Sequence, residues 1–273
     1  MDAGNPRTLE CDLALLSDLG NERDNNEDSC GSWVEHSKHV VFAVADGVGG
    51  YEGGEVASRM AIDTLLDGYR SSPVAWGPAK RLARAAQRAN IAIHDRALIV
   101  TELRRMATTL TAASIEDGVL RAIHIGDCRL YLIRGGTMRQ LSKDHSATSM
   151  RTPLSVLNKE MLREYPERGA LTRCLGADLI AALDRIATPL EHGDAVLIAS
   201  DGLHDTLSEA QMLELIGERD AATACRLLID RANERGTHDN LTVALFRQTS
   251  PVPERARGLR ARLEGLLDGL GRK

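Results

Sequence analysis

Apolar and polar positions along the chain change period several times, and each change marks an element. Residues 9–16 alternate as a first strand, closed by Ser17-Asp18-Leu19-Gly20. The charge-dense stretch Asn21 to Asp28 reads as a solvated loop. From Val41 the chain is uninterruptedly apolar as far as Ala45, a length suited to a buried strand, and then stops at Asp46-Gly47-Val48-Gly49-Gly50. Beyond it, Val56, Ala57, Met60, Ala61 and Leu65 predict a helix over 54–68. Leu82, Ala85, Ala86, Ala89 and Ile93 predict a second over 79–98, with Arg81, Arg84 and Arg88 on its solvated face.

From Thr108 the short period returns. Thr109 to Ile115, Val119 to Ile125 and Leu130 to Ile133, with turns at Asp117-Gly118 and Gly135-Gly136, predict an antiparallel meander. Residues 146–170, with Pro153, Pro166 and Gly169, read as an irregular excursion, and such excursions tend to be lids or binding loops. Strands resume at Ile180 to Ile186 and Ala195 to Ala199. Ser208 with Gln211 is a capping-box signature for a helix through Ile216. Asp220 opens another through Asn233, and Leu241 to Phe246 is a last strand. The order of elements predicts two packed sheets with helices outside, in one domain over residues 8–248. A basic amphipathic tail, 251–273, follows; it docks on a partner or an anionic membrane surface, packs as a helix on its own domain, or frays in solvent.

Composition narrows the function classes. At 273 residues and 43% hydrophobic content the chain can bury a sizeable core, but with 3% aromatics that core is built of Ala, Leu, Val and Ile. A net charge of -5 and few stacking rings argue against nucleic acid. Five cysteines without a C-x-x-C pair suit reduced thiols rather than disulfides or a zinc site. The first residues lack a signal-peptide pattern and no apolar run approaches a membrane span, so the expectation is a soluble, cytoplasmic protein.

The chemistry lies in a repeated design: an apolar strand ending in an acid, at Asp46, at Ile123-His124-Ile125-Gly126-Asp127 and at Val196 to Asp201-Gly202. A single Asp-Gly after a strand is an ordinary turn, but three such ends, with Asp239 before the last strand and Glu27 in the early loop, form an all-oxygen set. Carboxylates without His or Cys favour Mg2+ or Mn2+ over Zn2+. Converging acids need more than one divalent ion to offset their repulsion. Two ions ~3.5–4 Å apart would activate a bridging water and clamp a phosphoryl group. Arg23 would be a planar phosphate clamp, or else a surface ion pair.

Read in order, Ser17-Asp18-x-Gly20-x-x-Arg23-x-x-Asn26-Glu27-Asp28, Ala45-Asp46-Gly47-x-Gly49-Gly50, Met106-Ala107-Thr108-Thr109, Gly126-Asp127-x-Arg129, Leu171-Thr172-Arg173-x-x-Gly176, Ser200-Asp201-Gly202 and Asp239-Asn240-x-Thr242 resemble the motifs of the type-2C (PPM) Ser/Thr protein phosphatases of bacterial type. The resemblance covers residues 10–247. It implies an α+β fold, a four-layer αββα sandwich of two antiparallel sheets flanked by helix pairs. It also implies hydrolysis of phosphoserine and phosphothreonine by direct attack of a metal-activated water, with no covalent enzyme intermediate. Asp46 would bridge two Mg2+ or Mn2+ ions and the Gly47 carbonyl would bind one of them. Asp201 and Asp239 would hold the other, Glu27 contributing through its shell and Asp28 in support. Arg23 would bind the phosphate, Asp127 would pair with Asp201 in a third site, and Asn240 would fix the Asp239 loop. Residues 146–170 match the family's flap beside the substrate.

Two departures stand out. Val48 occupies the position where many eukaryotic members carry a histidine that can act as general acid, so the leaving-group proton would come from metal-bound water or from elsewhere, with His145 only a weak candidate. Cys128 stands where the family usually has serine. The implied partners are phosphoprotein substrates and an opposing Ser/Thr kinase. The rival classes are a catalytically silent phosphoprotein-binding scaffold and a phosphatase of small-molecule phosphates.

Overall fold

The computed structural model describes residues 11–35, 39–48, 53–147 and 171–249. One sheet orders its strands β1 (Asp12–Asp18), β11 (Leu241–Arg247), β10 (Ala195–Ala199), β7 (Arg129–Arg134) and β8 (Thr137–Gln140). The other orders β2 (Asp28–Glu35), β3 (His39–Val48), β5 (Leu110–Glu116), β6 (Val119–Ile125) and β9 (Asp184–Pro189), with β4 (Ala107–Thr108) pairing the end of β3. Every strand pair is antiparallel. Helices α1 (Gly53–Ser71) and α2 (Gly77–Ile99) cover the second sheet. The first is covered by α3 (Asp201–Thr206), α4 (Glu209–Ile216) and α5 (Ala221–Glu234). The result is the α+β, four-layer αββα sandwich.

The unbroken apolar run of β3 follows from its place in the layers. Val41, Ala43 and Ala45 face the helix layer, while Val40, Phe42 and Val44 face the opposite sheet. A strand covered on both sides has no polar face to alternate with. Between the sheets Phe42 stacks on Phe246 at 6.3 Å, one of few aromatic contacts in a core otherwise built from Ala, Val, Leu and Ile.

Several expectations need correction. Arg81 is not solvated: it is 3% exposed and its guanidinium donates to the Tyr69 carbonyl at 3.0 and 3.2 Å. It caps the end of α1, and its charge lies over the Tyr69 ring. Strand β2, which pairs with all but the last two residues of β3, was hidden by its small and polar residues. The short β8 and α3 were also not anticipated. The strand expected from Ile180 begins only at Asp184, because Gln87 and Asn90 of α2 hold the preceding carbonyls of Asp178 and Leu179. The capping box at Ser208 forms as expected. Gly49, Gly50, residues 148–170 of the excursion and the tail 251–273 lie outside the described residues. Among the described residues no helix is long and apolar enough to cross a membrane.

Candidate metal centre

The acids converge because strand ends converge. Asp46, next to the end of β3, is held through its backbone: its N–H donates to the Thr109 hydroxyl at 2.9 Å, and its carbonyl accepts from Thr109 N–H and the Thr108 hydroxyl at 2.8 Å each. Gly47 N–H donates to the Glu27 carbonyl at 3.0 Å. The approach here admits no side chain. A Cβ on Gly47 would lie 2.1 Å from the Gly54 oxygen, and one on Gly54 would lie 2.6 Å from Oε1 of Glu27 and 2.9 Å from the Gly47 oxygen. The Glu27 carboxylate and the Gly47 carbonyl therefore meet over the first turn of α1.

Asp201 and Asp239 meet at the ends of β10 and β11. Ser200 and Thr242 join those strands: Ser200 N–H donates to Thr242 O at 3.0 Å, and Thr242 N–H donates to Ser200 Oγ at 2.9 Å. With its hydroxyl used there, Ser200 makes no side-chain cap on α3. A Cβ on Gly202 would lie 2.1 Å from the Asn240 oxygen and 3.2 Å from the Asp239 Cβ, so only glycine lets Asp201 approach Asp239. Asn240 does more than fix the Asp239 loop. Its Oδ1 accepts Glu27 N–H at 2.8 Å, and its Nδ2 donates to the carbonyls of Leu19 and Asn25 at 2.9 and 3.0 Å. It pins the whole early loop to the start of β11. Arg23 lies against this loop and ion-pairs with Asp239 at 2.8 Å, both groups more than a third exposed.

Asp28 faces Asp46 across the β2–β3 ladder. It is 7% exposed, and its Oδ2 has no hydrogen-bond partner among the described residues. Asp127 follows Gly126 (φ +105°), whose own Cβ would strike Thr109. His204, a residue with no role in the sequence reading, sits one turn after Asp201 and donates from Nε2 to the Asp127 carbonyl at 3.2 Å. Its spacing from Asp201 on one helix face was the available signal. His145 cannot serve as general acid. It is 3% exposed, its Nδ1 accepts Gly126 N–H at 3.1 Å, and its Nε2 is directed to Asp184 at 3.1 Å. It is a strut under the Gly126–Asp127 turn. His124 is a satisfied core residue, bonded to the Thr111 hydroxyl and the Lys143 carbonyl. Cys128 is fully buried against Thr109.

Burial pushes the carboxyls of Glu27, Asp28, Asp46, Asp127 and Asp201 up, and neighbouring acids add to it. Burial and then Asp28, Asp201, Asp127 and Asp239 hold Asp46 well above the carboxylate range. Burial, with Asp201 and Asp239, lifts Asp28 to about 7 against the Ser200 and Thr242 hydroxyls. Burial and Asp201 lift Asp127 to about 7 against His204. Asp201 is raised by burial and Asp239, and Glu27 by burial against the pull of Arg23. Burial works against the Arg23 charge, but Asp239 beside it keeps the guanidinium above its ordinary value. Among the described residues no three acids, His or Cys close into a ready-made ion cage. The unpartnered Asp28 oxygen and the repelling all-oxygen set fit divalent cations as the missing charge.

The model for protein phosphatase 2C matches residues 21–245. The serine/threonine phosphatase stp of Listeria innocua is 32% identical over 234 residues, which is 84% of this chain and 92% of the relative. The crystal structure of the Mycobacterium tuberculosis serine/threonine phosphatase PstP/Ppp superposes with a TM-score of 0.77 at 30% identity, covering 88% of this chain and 99% of that one. The catalytic domain of PstP in complex with two manganese ions gives 0.72 at 32% identity, covering 87% and 97%. With the fold, the order of the motifs and the converging acids in agreement, the chain belongs to the protein phosphatase 2C family.

Proposed function

We propose that this chain is a Mg2+- or Mn2+-dependent phosphatase that hydrolyses phosphoserine and phosphothreonine in proteins. The observation that carries the reading is the convergence of Glu27, Asp46, Asp201 and Asp239 around one surface, with Arg23 as the cation set among them. Glu27, Asp46, the Gly47 carbonyl, Asp201 and Asp239 would hold two ions, and Asp127 with Asp201 a third. When bound, the ions would supply an acidified water and neutralise phosphoryl charge for in-line attack. The chain's own residues do the rest. Asp28 stands behind Asp46 as an added negative charge, and Asn240 keeps the early loop in register with Asp239. Arg23 exchanges its exposed contact with Asp239 for the substrate phosphate, which it can grip bidentately. Neither the apolar Val48 side chain nor His145, with both nitrogens engaged, is placed to protonate the leaving group, and we propose water for that role.

The phosphatase domain is proposed to span residues 8–248, with the tail 251–273 outside it. An opposing Ser/Thr kinase in the same compartment follows from the reaction. The cytoplasm suits the five free cysteines. Manganese-dependent release of phosphate from a phosphothreonine peptide tests the reading, with Asp46→Asn and Asp239→Asn expected to abolish it. No hydrolysis of any phosphopeptide with metal present overturns it in favour of a silent phosphoprotein-binding scaffold.

A further inference from the structure

Away from the metal centre, a groove of about 690 Å3 runs between the first half of α2 and the chain entering β9. Lys80, Arg84 and Gln87 line it from the helix, and Ile180, Leu183 and Arg185 from the facing chain. The facing chain is fastened in place. Gln87 donates to Leu179 O at 2.9 Å, Asn90 to Asp178 O at 2.8 Å, and Ala181 N–H to Gln87 Oε1 at 3.2 Å. Asn90, fully buried, also accepts Gly176 N–H at 2.8 Å. These amides turn Leu179 and Ile180 outward, 58% and 78% exposed. A scattered exposed leucine is ordinary, but two adjacent apolar side chains beside a fixed groove point to a partner.

The charge says which partner. Lys80, Arg84 and Arg185 are exposed, no acid lines the groove, and none of the ion pairs among the described residues involves these three. Asp184, next to Arg185, is directed to Arg173 and His145 instead. A basic groove on a chain of net charge -5 is a local departure from the background. The tail is a poor occupant, since Arg255, Arg257, Arg260, Arg262, Arg272 and Lys273 outnumber its three acids, Glu254, Glu264 and Asp268.

We propose that this groove docks an acidic segment, carrying leucine or isoleucine anchors, of the phosphoprotein substrate, apart from the phosphorylated residue itself. The proposal rests on the phosphatase reading for what the segment belongs to, though not for the binding. Apolar anchors would supply the affinity, and the basic rim the register and encounter rate.

The test uses the full chain and a fluorescein-labelled, phosphate-free peptide of alternating glutamate and leucine, with anisotropy as readout. Wild type is expected to bind it with an affinity that falls with salt. The triple variant Lys80→Glu, Arg84→Glu, Arg185→Glu should bind about tenfold more weakly or worse, at a few tenths of an order per lost ion pair. Ile180→Ser, an exposed change that leaves the fold alone, should also weaken binding. Both variants should turn over p-nitrophenyl phosphate as wild type does. Equal binding by wild type and variants overturns the proposal. So does equally tight binding of an all-glutamate peptide, or tighter binding of single-stranded DNA. Absence of p-nitrophenyl phosphate turnover by wild type would remove the phosphatase reading while the anisotropy still decides the groove.

Discussion

Asp28→Asn should make the metal-free protein more stable. Asp28 is 7% exposed and faces Asp46, and its Oδ2 has no hydrogen-bond partner among the described residues. Its pKa is lifted from the ordinary 3.8 to about 7 by burial, with Asp201 and Asp239 adding to it. The sign follows from that direction. A carboxyl whose folded pKa is raised contributes its stability below the unfolded value, and that stability is lost as pH rises through the folded one. A shift of this size is worth ~4 kcal/mol as a ceiling. Relaxation and water entry reduce it to about 1–2 kcal/mol. In a domain of this size each kcal/mol moves Tm by about 2–4 °C, so the variant should melt ~2–8 °C higher in chelator at pH 8.

The pH profile separates this cause from a generic packing gain. The amide is neutral throughout, so its advantage should grow from about pH 4 upward and level off above about 7. Saturating Mn2+ should shrink or reverse it, because the wild-type acids then face cations. Calorimetry or dye-monitored melting of both proteins, at pH 5.5 and 8 with and without metal, supplies the four comparisons. A variant that melts at or below wild type in chelator at pH 8, or whose gain is the same at both pH values, refutes the reasoning.

Arg23→Ala should scarcely move Tm, since its pair with Asp239 is exposed and such pairs contribute ~0–1 kcal/mol. It should lower kcat/KM for an aryl phosphate about a hundredfold, as charge-assisted hydrogen bonds to the phosphate are lost; near-wild-type turnover would remove Arg23 from the substrate site. Gly47→Ala should prevent native folding or lower Tm steeply by circular dichroism, because its Cβ would lie 2.1 Å from backbone oxygen of Gly54. Deleting residues 251–273 should leave aryl phosphate turnover nearly intact, and a large loss would place the tail within the catalytic fold.

What the chain disclosed about itself divides by the range of the interaction. Local signals were legible: the Ser208 capping box, the helical periods of α1 and α2, and the apolar run of β3 all form where the pattern places them. The placing of acids at strand ends was legible too, because one Asp-Gly is an ordinary turn but the same ending recurs at Asp46, Asp127 and Asp201. Less legible were residues whose partners lie far away in sequence. Arg81 looked like one more cation on a solvated face, and only the return of α1 beside α2 buries it against Tyr69. Asn240 reaches Glu27 across 213 positions, so nothing local to either residue announces the bond. His145 carried a chemically suggestive ring, but the turn at Gly126 and the Asp184 carboxylate claim both of its nitrogens. Strand β2 has a composition that neither period detects, and it pairs because β3 offers it an edge.

The means by which the acids are held bears on why they stay available. A cluster of buried carboxylates can be stabilised by lysines and arginines, but such counter-ions would occupy the place a divalent cation needs. Here the scaffold is almost entirely uncharged. Thr108 and Thr109 grip the Asp46 backbone, Asn240 grips the early loop, and Ser200 and Thr242 lock the β10 and β11 ends. Glycines at 47, 54 and 202 let main chain approach main chain where a methyl would not fit. These contacts fix where the carboxylates stand without neutralising them, which is the preorganisation the proposed cation site would need. Arg23 is a charged neighbour of these acids, and its exposed pairing with Asp239 is weak enough to exchange for a phosphate. Burial first, and then the neighbouring acids, raise the pKa values of Asp28, Asp46 and Asp127, as expected of carboxyls held close together in a rigid setting.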